Sequence, residues 1–196
     1  MTRVHPIEVE SYRRLRELVD LSHLPPLSRA VTERIIHASA DLDYVHELVL
    51  DEAALAVGVR ALRAGAPLVA DVEMVAAGIT GTPSLCALRD PRTAALAAQR
   101  GLTRSAAGVH VALEHAGPGA VWVVGCAPTA LFALVEADAR PALVVGLPVG
   151  FVGAVESKEA LLGSGLPALT NRSRKGGSAV AVAAANALLR HAKEEA

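Results

Sequence analysis

The sequence predicts an α/β fold, a three-layer α/β/α arrangement with a mostly parallel sheet and a helical N-terminal region. Three observations carry that prediction. From residue 67 onward, short apolar runs bounded by Gly, Pro or Asp alternate with helix-patterned segments. The runs are apolar at successive positions rather than alternate ones, as in strands buried on both faces. The first third of the chain instead shows helical spacing of its apolar residues, with charges between them.

The elements follow in order. "IEVESYRRLRELVD" places Ile7, Tyr12, Leu15, Leu18 and Val19 near one helical face. "PPLSRAVTERIIHAS" starts at Pro25 and Pro26, and Leu27, Val31, Arg34 and Ile35 recur at helical spacing. "LDEAALAVGVRALRAG" begins a third helix near Asp51 and stops at Gly65. The expected strands are "PLVAD", "SLCAL", "AVWVVG", "ALVVGLP" and "PALT". Helices are expected in "PRTAALAAQRG", "TRSAAGVHVALEHAG", "APTALFALVEA", "SKEALLGSG" and "GGSAVAVAAANALLRHAKEE". With no Pro/Ser-rich linker and no internal repeat, residues 1–196 are expected to form a single domain.

Composition narrows the function classes. The chain is 52% hydrophobic but only 3% aromatic, so its core must be aliphatic and rich in Ala. A net charge of -1 argues against nucleic-acid binding through bulk positive charge. Cys86 and Cys126 are the only cysteines, and neither has a CxxC neighbour. That disfavours a disulfide framework or zinc site and fits a reducing cytoplasm. "MTRVHPIEVESYRR" lacks the apolar stretch of a signal peptide. The most apolar run, Ala142 to Val155, is broken by Gly146, Pro148, Gly150 and Gly153, so no membrane span is expected. Part of the apolar surface is expected to serve an oligomer interface.

Parallel sheets bind ligands beyond the carboxyl ends of their strands. That rule selects "DVEMVAAGI", "GCAPTALF", "GLPVGFVGAVESK" and "NRSRKGGS", which carry Asp71, Glu73, Thr129, Glu156, Ser157, Lys158, Arg174, Lys175 and Ser178. In "RKGGSAV" a basic pair precedes two glycines and a helix, which suits an anion or a plain helix cap; spacing alone leaves both open. Lys175 precedes its glycines, so this is no Walker loop. Arg104 in "TRSAAG" opposes the helix dipole unless an anion offsets it; local sequence alone favours a solvated arginine. Ser157 and Lys158 are adjacent and would point apart on a helix, and no GxSxG elbow exists, so serine-hydrolase chemistry has little support. The seven histidines show no HxxxH or HExxH spacing, so no metal site is expected. His37 stands apart because "IIHASAD" brings it off an apolar helical face. A histidine there is, by base rate, more often a satisfied core residue than a catalyst.

The motif set as a whole resembles the precorrin-8X methylmutase family of the cobalamin (vitamin B12) pathway. The matching stretches are "HPIEVESY", "RIIHASAD", "ALRAGAPLVADVEMVAAGI", "LTRSAAGVHVA", "GCAPTALFAL", "PALVVGLPVGFVGAVESKEAL" and "RKGGSAVAVAAANALL", and they span nearly the whole chain. The resemblance implies an isomerase that moves a methyl group from C-11 to C-12 of a contracted tetrapyrrole, with or without cobalt. The product is hydrogenobyrinate or cobyrinate. A suprafacial sigmatropic shift of this kind implies no cofactor and no external methyl donor. The matching motif places the catalytic histidine on His37, as a general acid toward a ring nitrogen; imidazole, with a reference pKa of about 6.5, suits that role. The substrate's carboxylate fringe and apolar ring are expected to meet Arg104, Ser105, Thr129, Glu156, Ser157, Lys158, Lys175, Gly176, Gly177 and Ser178. The implied partners are the tetrapyrrole, a second copy of the chain in a homodimer, and neighbouring cobalamin-pathway enzymes.

Two positions depart from the family pattern: Cys126 stands where Asn is expected, and Ser173 where Gly is expected before the basic pair. Two rival readings are kept. One is a carrier that holds the corrinoid without converting it. The other is a nucleotide- or phosphate-using enzyme built on "RKGGS", which lacks both the Walker and the GxGxxG patterns.

Overall fold

Side-chain caps fix where several helices begin. The computed structural model describes residues 5–194. His5 starts α1 (Pro6–Leu18) by accepting from the Ile7 N–H through its ring nitrogen. Asp51 caps α4 (Glu52–Arg63), and Asp90 caps α6 (Pro91–Arg100). Thr103 caps α7 (Arg104–Ala116) through the Ala106 N–H. These side-chain acceptors satisfy amides that a helix start leaves unpaired. Proline opens α2 (Pro26–Ser39) and α8 (Pro128–Glu136), where its missing N–H costs nothing.

The chain continues from α2 through α3 (Tyr44–Glu47) into β1 (Leu48–Leu50) and α4. Beyond α4 come β2 (Leu68–Ala70) and α5 (Glu73–Gly78), and α6 and α7 lead to β3 (Val121–Val124). After α8 the order is β4 (Leu143–Gly146), α9 (Ala154–Gly163), β5 (Ala168–Asn171) and α10 (Ser178–Glu194). The strands form one sheet in the order β1-β5-β4-β3-β2. β2 to β5 run parallel, and β1 is an antiparallel edge on β5, pairing Leu48 with Asn171.

Successive strand residues face opposite sides, and each side has its own core. Val121, Val123, Leu143, Val145 and Leu169 pack with Val31, Ile35, Leu55 and Leu188 of α2, α4 and α10. Val69, Trp122, Val124 and Val144 pack with Val109, Leu131, Leu134 and Leu161 of α7, α8 and α9. This is the three-layer α/β arrangement that the doubly apolar runs predicted. The helical layer lies close to the sheet. A Cβ on Gly58 of α4 would sit 2.5 Å from the Leu143 side chain.

Several local expectations need correction. "SLCAL" is not a strand: only Leu85 joins the sheet, through a bridge to Val69. The next carbonyls are taken elsewhere, Ala87 by the Thr93 hydroxyl and Leu88 by Arg104. β1 replaces it as the fifth strand. "DVEMVAAGI" contains the helix α5 rather than a simple loop. In α1 only Leu15 is buried, while Ile7 and Leu18 are 73% and 69% exposed.

Candidate active site

His37 lies in the last turn of α2, just before a turn tied to the loop that follows β5. The apolar α2 residues Val31, Ile35 and Ile36 are buried, and the helix stops at Ala40, whose left-handed backbone (φ 54°) accepts the turn. His37 is half-buried one helical turn before that stop. Its Nδ1 lies 2.9 Å from the Ser11 hydroxyl. Its ring stacks on Tyr12, with centroids 4.7 Å apart and planes 10° apart. Tyr12 is itself held, because Arg34 donates to its hydroxyl (3.2 Å) and to Glu8 (2.9 Å). One imidazole nitrogen and one ring face are thus engaged. Nε2 has no hydrogen-bond partner among the described residues. Ser11 and Tyr12 were not singled out from the sequence. Their only signal was membership of "HPIEVESY", far from His37 in the chain.

The turn after His37 is tied to the loop that follows β5. Lys175 Nζ lies 2.8 Å from Asp41 and 2.5 Å from Asp43. The Lys175 ammonium holds the Asp41 carboxyl below its ordinary value, and the two carboxylates raise Lys175. The Lys175 charge is therefore already partnered, and it fixes the loop against α2. Gly176 carries φ 147°, and a Cβ there would lie 2.4 Å from the Leu147 carbonyl oxygen. The loop thus rests directly on the backbone that leaves β4, where the Gly177 N–H also donates to Leu147 (2.8 Å).

Ser157 and Lys158, expected at the substrate, are buried. The Ser157 hydroxyl donates back to Ala154 (3.0 Å), which occupies it within α9. Lys158 Nζ donates to the carbonyls of Ser173 (2.7 Å) and Lys175 (2.6 Å) from beneath the loop. Burial pushes the Lys158 ammonium down to about 8. Neither side chain reaches the surface, and the polar atoms of both are engaged within the protein. Ser173, the departure from the family pattern, bonds Glu47 and accepts from the Lys175 N–H (3.1 Å).

At the carboxyl rim of the sheet, the Thr103 and Thr129 hydroxyls meet at 2.7 Å and join the starts of α7 and α8. Arg104 is exposed, donates to the Leu88 carbonyl (3.1 Å) and has no carboxylate partner among the described residues. Ser105 and Ser178 are half-buried beside these helix starts, and Glu156 is exposed on α9. Asp71 orders this part of the rim. Its buried carboxylate accepts from the N–H groups of Gly125 (3.1 Å), Cys126 (2.9 Å) and Ala127 (3.0 Å). Burial raises its carboxyl more than those three donors lower it. Cys126 holds its backbone in that cradle regardless of side chain. Among the described residues no cluster of His, Cys, Asp and Glu could hold a metal. No helix there is long and apolar enough to cross a membrane.

A cavity of about 350 Å³ lies between α1, α2 and α10, lined in part by Glu8, Arg16, Glu33 and Arg34. Its charges are already paired, Arg34 with Glu8 and Arg16 with Glu33, and His37 does not line it. His37 instead keeps an unengaged imidazole nitrogen outside that cavity.

Comparison with known proteins places the chain among relatives. A family model described as precorrin-8X methylmutase matches residues 6–191. The cobalt-precorrin-8 methylmutase of Methanothermobacter thermautotrophicus is 43% identical, covering 92% of this chain and 90% of the relative. The precorrin-8X methylmutase of Pseudomonas aeruginosa is 43% identical, covering 91% of each chain. The crystal structure of a precorrin-8X methyl mutase from Thermus thermophilus superposes with a TM-score of 0.88 at 38% identity, covering 97% of this chain and 99% of that one.

Proposed function

Because the chain belongs to the precorrin-8X methylmutase family, we propose that it is an isomerase that moves the C-11 methyl group of precorrin-8X, or of cobalt-precorrin-8, to C-12. The observation that carries the reading is His37. Its Nδ1 and one ring face are fixed by Ser11 and Tyr12, and its Nε2 is left for a ligand. When the Ser11 hydroxyl donates to Nδ1, the proton of neutral imidazole resides on Nε2. That tautomer offers an Nε2–H hydrogen bond to a ring nitrogen of the substrate, and the imidazolium, whose Nδ1–H donates to the Ser11 oxygen, transfers its Nε2 proton there and is left neutral. Electron density is drawn from the conjugated system, the C-11 methyl bond breaks, and the C-12 bond forms. The proton returns to Nε2 at the end, so the reaction is a net isomerisation and calls on no methyl donor.

The peripheral carboxylates meet Arg104 and the main-chain donors of the loop before α10, around Gly176 and Ser178, with Gly177 holding the loop to the Leu147 carbonyl. Thr129 and Ser105 contribute polar contacts beside them. The active form in this reading is a homodimer in the cytoplasm, receiving its substrate from neighbouring enzymes of the pathway. Support for the dimer comes from the loop after β4, where Phe151 and Val152 are 91% and 88% exposed.

The test mixes purified protein with precorrin-8X and, separately, with cobalt-precorrin-8, and follows the visible spectrum. The methyl shift changes ring conjugation, so turnover is read directly. Conversion of one form supports the isomerase and selects the substrate. Binding of both without conversion points to a carrier and overturns the proposal.

A further inference from the structure

Among the described residues, Lys158 is the buried ammonium whose role the mechanism leaves open. It is 1% exposed, and no carboxylate pairs with it among the described residues. A buried charge of this kind is retained at a cost unless its hydrogen bonds do something useful. Both of its bonds go to main-chain carbonyls of one loop, those of Ser173 and Lys175.

The consequence follows from peptide planarity. No peptide bond in the described chain is cis, so each N–H points opposite the carbonyl of the same peptide unit. With the Ser173 and Lys175 carbonyls drawn down to Lys158, the N–H groups of Arg174 and Gly176 are turned away from it, toward the loop surface. The remaining partners agree with that arrangement. The Arg174 carbonyl accepts from Gly150 (3.2 Å), and the Lys175 carbonyl also accepts from Asn171 Nδ2 (3.0 Å). The Lys175 N–H donates to Ser173 Oγ, and the Gly177 N–H to the Leu147 carbonyl. The Arg174 and Gly176 N–H groups have no acceptor among the described residues. Every carbonyl from 173 to 175 is therefore satisfied, while two loop amides stay free.

We propose that Lys158 is a positioning residue for substrate binding, which turns the Arg174 and Gly176 N–H groups outward to receive a peripheral carboxylate of the tetrapyrrole. The inference rests on the methylmutase reading for the identity of that anion. Glu47 and Ser173 complete the device: Ser173 Oγ bridges the Glu47 carboxylate and the Lys175 N–H, holding the intervening peptide in register. The Ser173 hydroxyl thus supplies two loop contacts that the glycine expected there would lack. Because Lys158 acts on the loop and not on the reacting carbons, its loss falls on binding and spares the chemical step.

The test compares wild type with Lys158→Met and Lys158→Arg. Kinetics are measured with precorrin-8X, and backbone amide resonances of Arg174 and Gly176 are followed during its titration. In wild type both resonances shift on binding. In Lys158→Met they stay in place, KM rises at least tenfold and kcat changes less than twofold. Lys158→Arg, which keeps a cation and several donors, recovers part of the KM. A folded Lys158→Met variant with unchanged KM overturns the inference. So do wild-type amides that stay still while precorrin-8X binds, and that second readout decides the matter where Lys158→Met does not fold. A wild type that shifts both amides without converting the ring removes the methylmutase reading and leaves the loop assignment standing.

Discussion

His37 owes its orientation to two neighbours from another helix, and its variants separate chemistry from positioning. His37→Ala is expected to lower kcat by 10²- to 10⁴-fold with KM little changed, measured by the change in visible absorbance of the substrate. Ser11→Ala keeps the imidazole but frees its tautomer and tilt, and is expected to lower kcat by about fivefold, the worth of one hydrogen bond of about 1 kcal/mol. Lys158 gives a pH signature. Its folded value, about 8, lies below the ordinary 10.5, so the ammonium is disfavoured by folding. Below pH 8 both states hold the proton and the cost is fully present. From about pH 8 to 10.5 the unfolded chain keeps a proton that the folded one has released, and stability rises with pH. The rise is at most ~3 kcal/mol, reduced by the two carbonyls that favour the ammonium. Urea unfolding across that window should show it in wild type and not in Lys158→Met. His37 stood out in the sequence because an apolar helical face ends there, while its catalytic role came only from the family resemblance. It did not reveal that Lys158 is occupied, since a lysine near a predicted loop reads alike whether its amine meets solvent or the loop's own carbonyls.

Loops and helix ends are held here by a few buried acceptors and by glycines with no room for a side chain. Gly176→Ala would place a Cβ 2.4 Å from the Leu147 oxygen at φ 147°. It is expected to cost about 1–3 kcal/mol in urea unfolding and to raise KM as the loop moves. Asp71→Ala removes the acceptor for three N–H groups between β3 and α8. Leaving those donors unpaired should cost about 1–3 kcal/mol, read as a lower urea midpoint. Element identity was legible where apolar runs were long and well bounded, as in "AVWVVG" and "ALVVGLP". It failed for β1 and "SLCAL" for related reasons. Leu48–Leu50 is half-buried and follows directly on a charged four-residue helix, so nothing in it reads as a strand. "SLCAL" is apolar enough, but its carbonyls are captured by Thr93 and Arg104 from elsewhere in the chain. Such captures depend on the folded arrangement and leave no local trace.

The whole molecule is a sheet with a separate core on each face, and its carboxyl rim gathers residues distant in the chain. The two-sided burial was legible in the doubly apolar strands. The tie between the turn after His37 and the loop after β5 was less so, because it depends on β1 closing the sheet edge and on Lys175 reaching Asp41 and Asp43. The exposed Phe151 and Val152 lead to a prediction at this scale: sedimentation velocity should give twice the mass of the chain. Phe151→Ser with Val152→Ser should shift that equilibrium toward the monomer. Rearrangement of a tetrapyrrole through His37 is tested by a single turnover. Wild type and His37→Ala, each saturated with precorrin-8X or with cobalt-precorrin-8, are followed through a single turnover by visible absorbance. Wild type is expected to convert one ring, and the variant to bind it with conversion slowed at least 10²-fold. Conversion at an equal rate by both proteins would contradict rearrangement through His37.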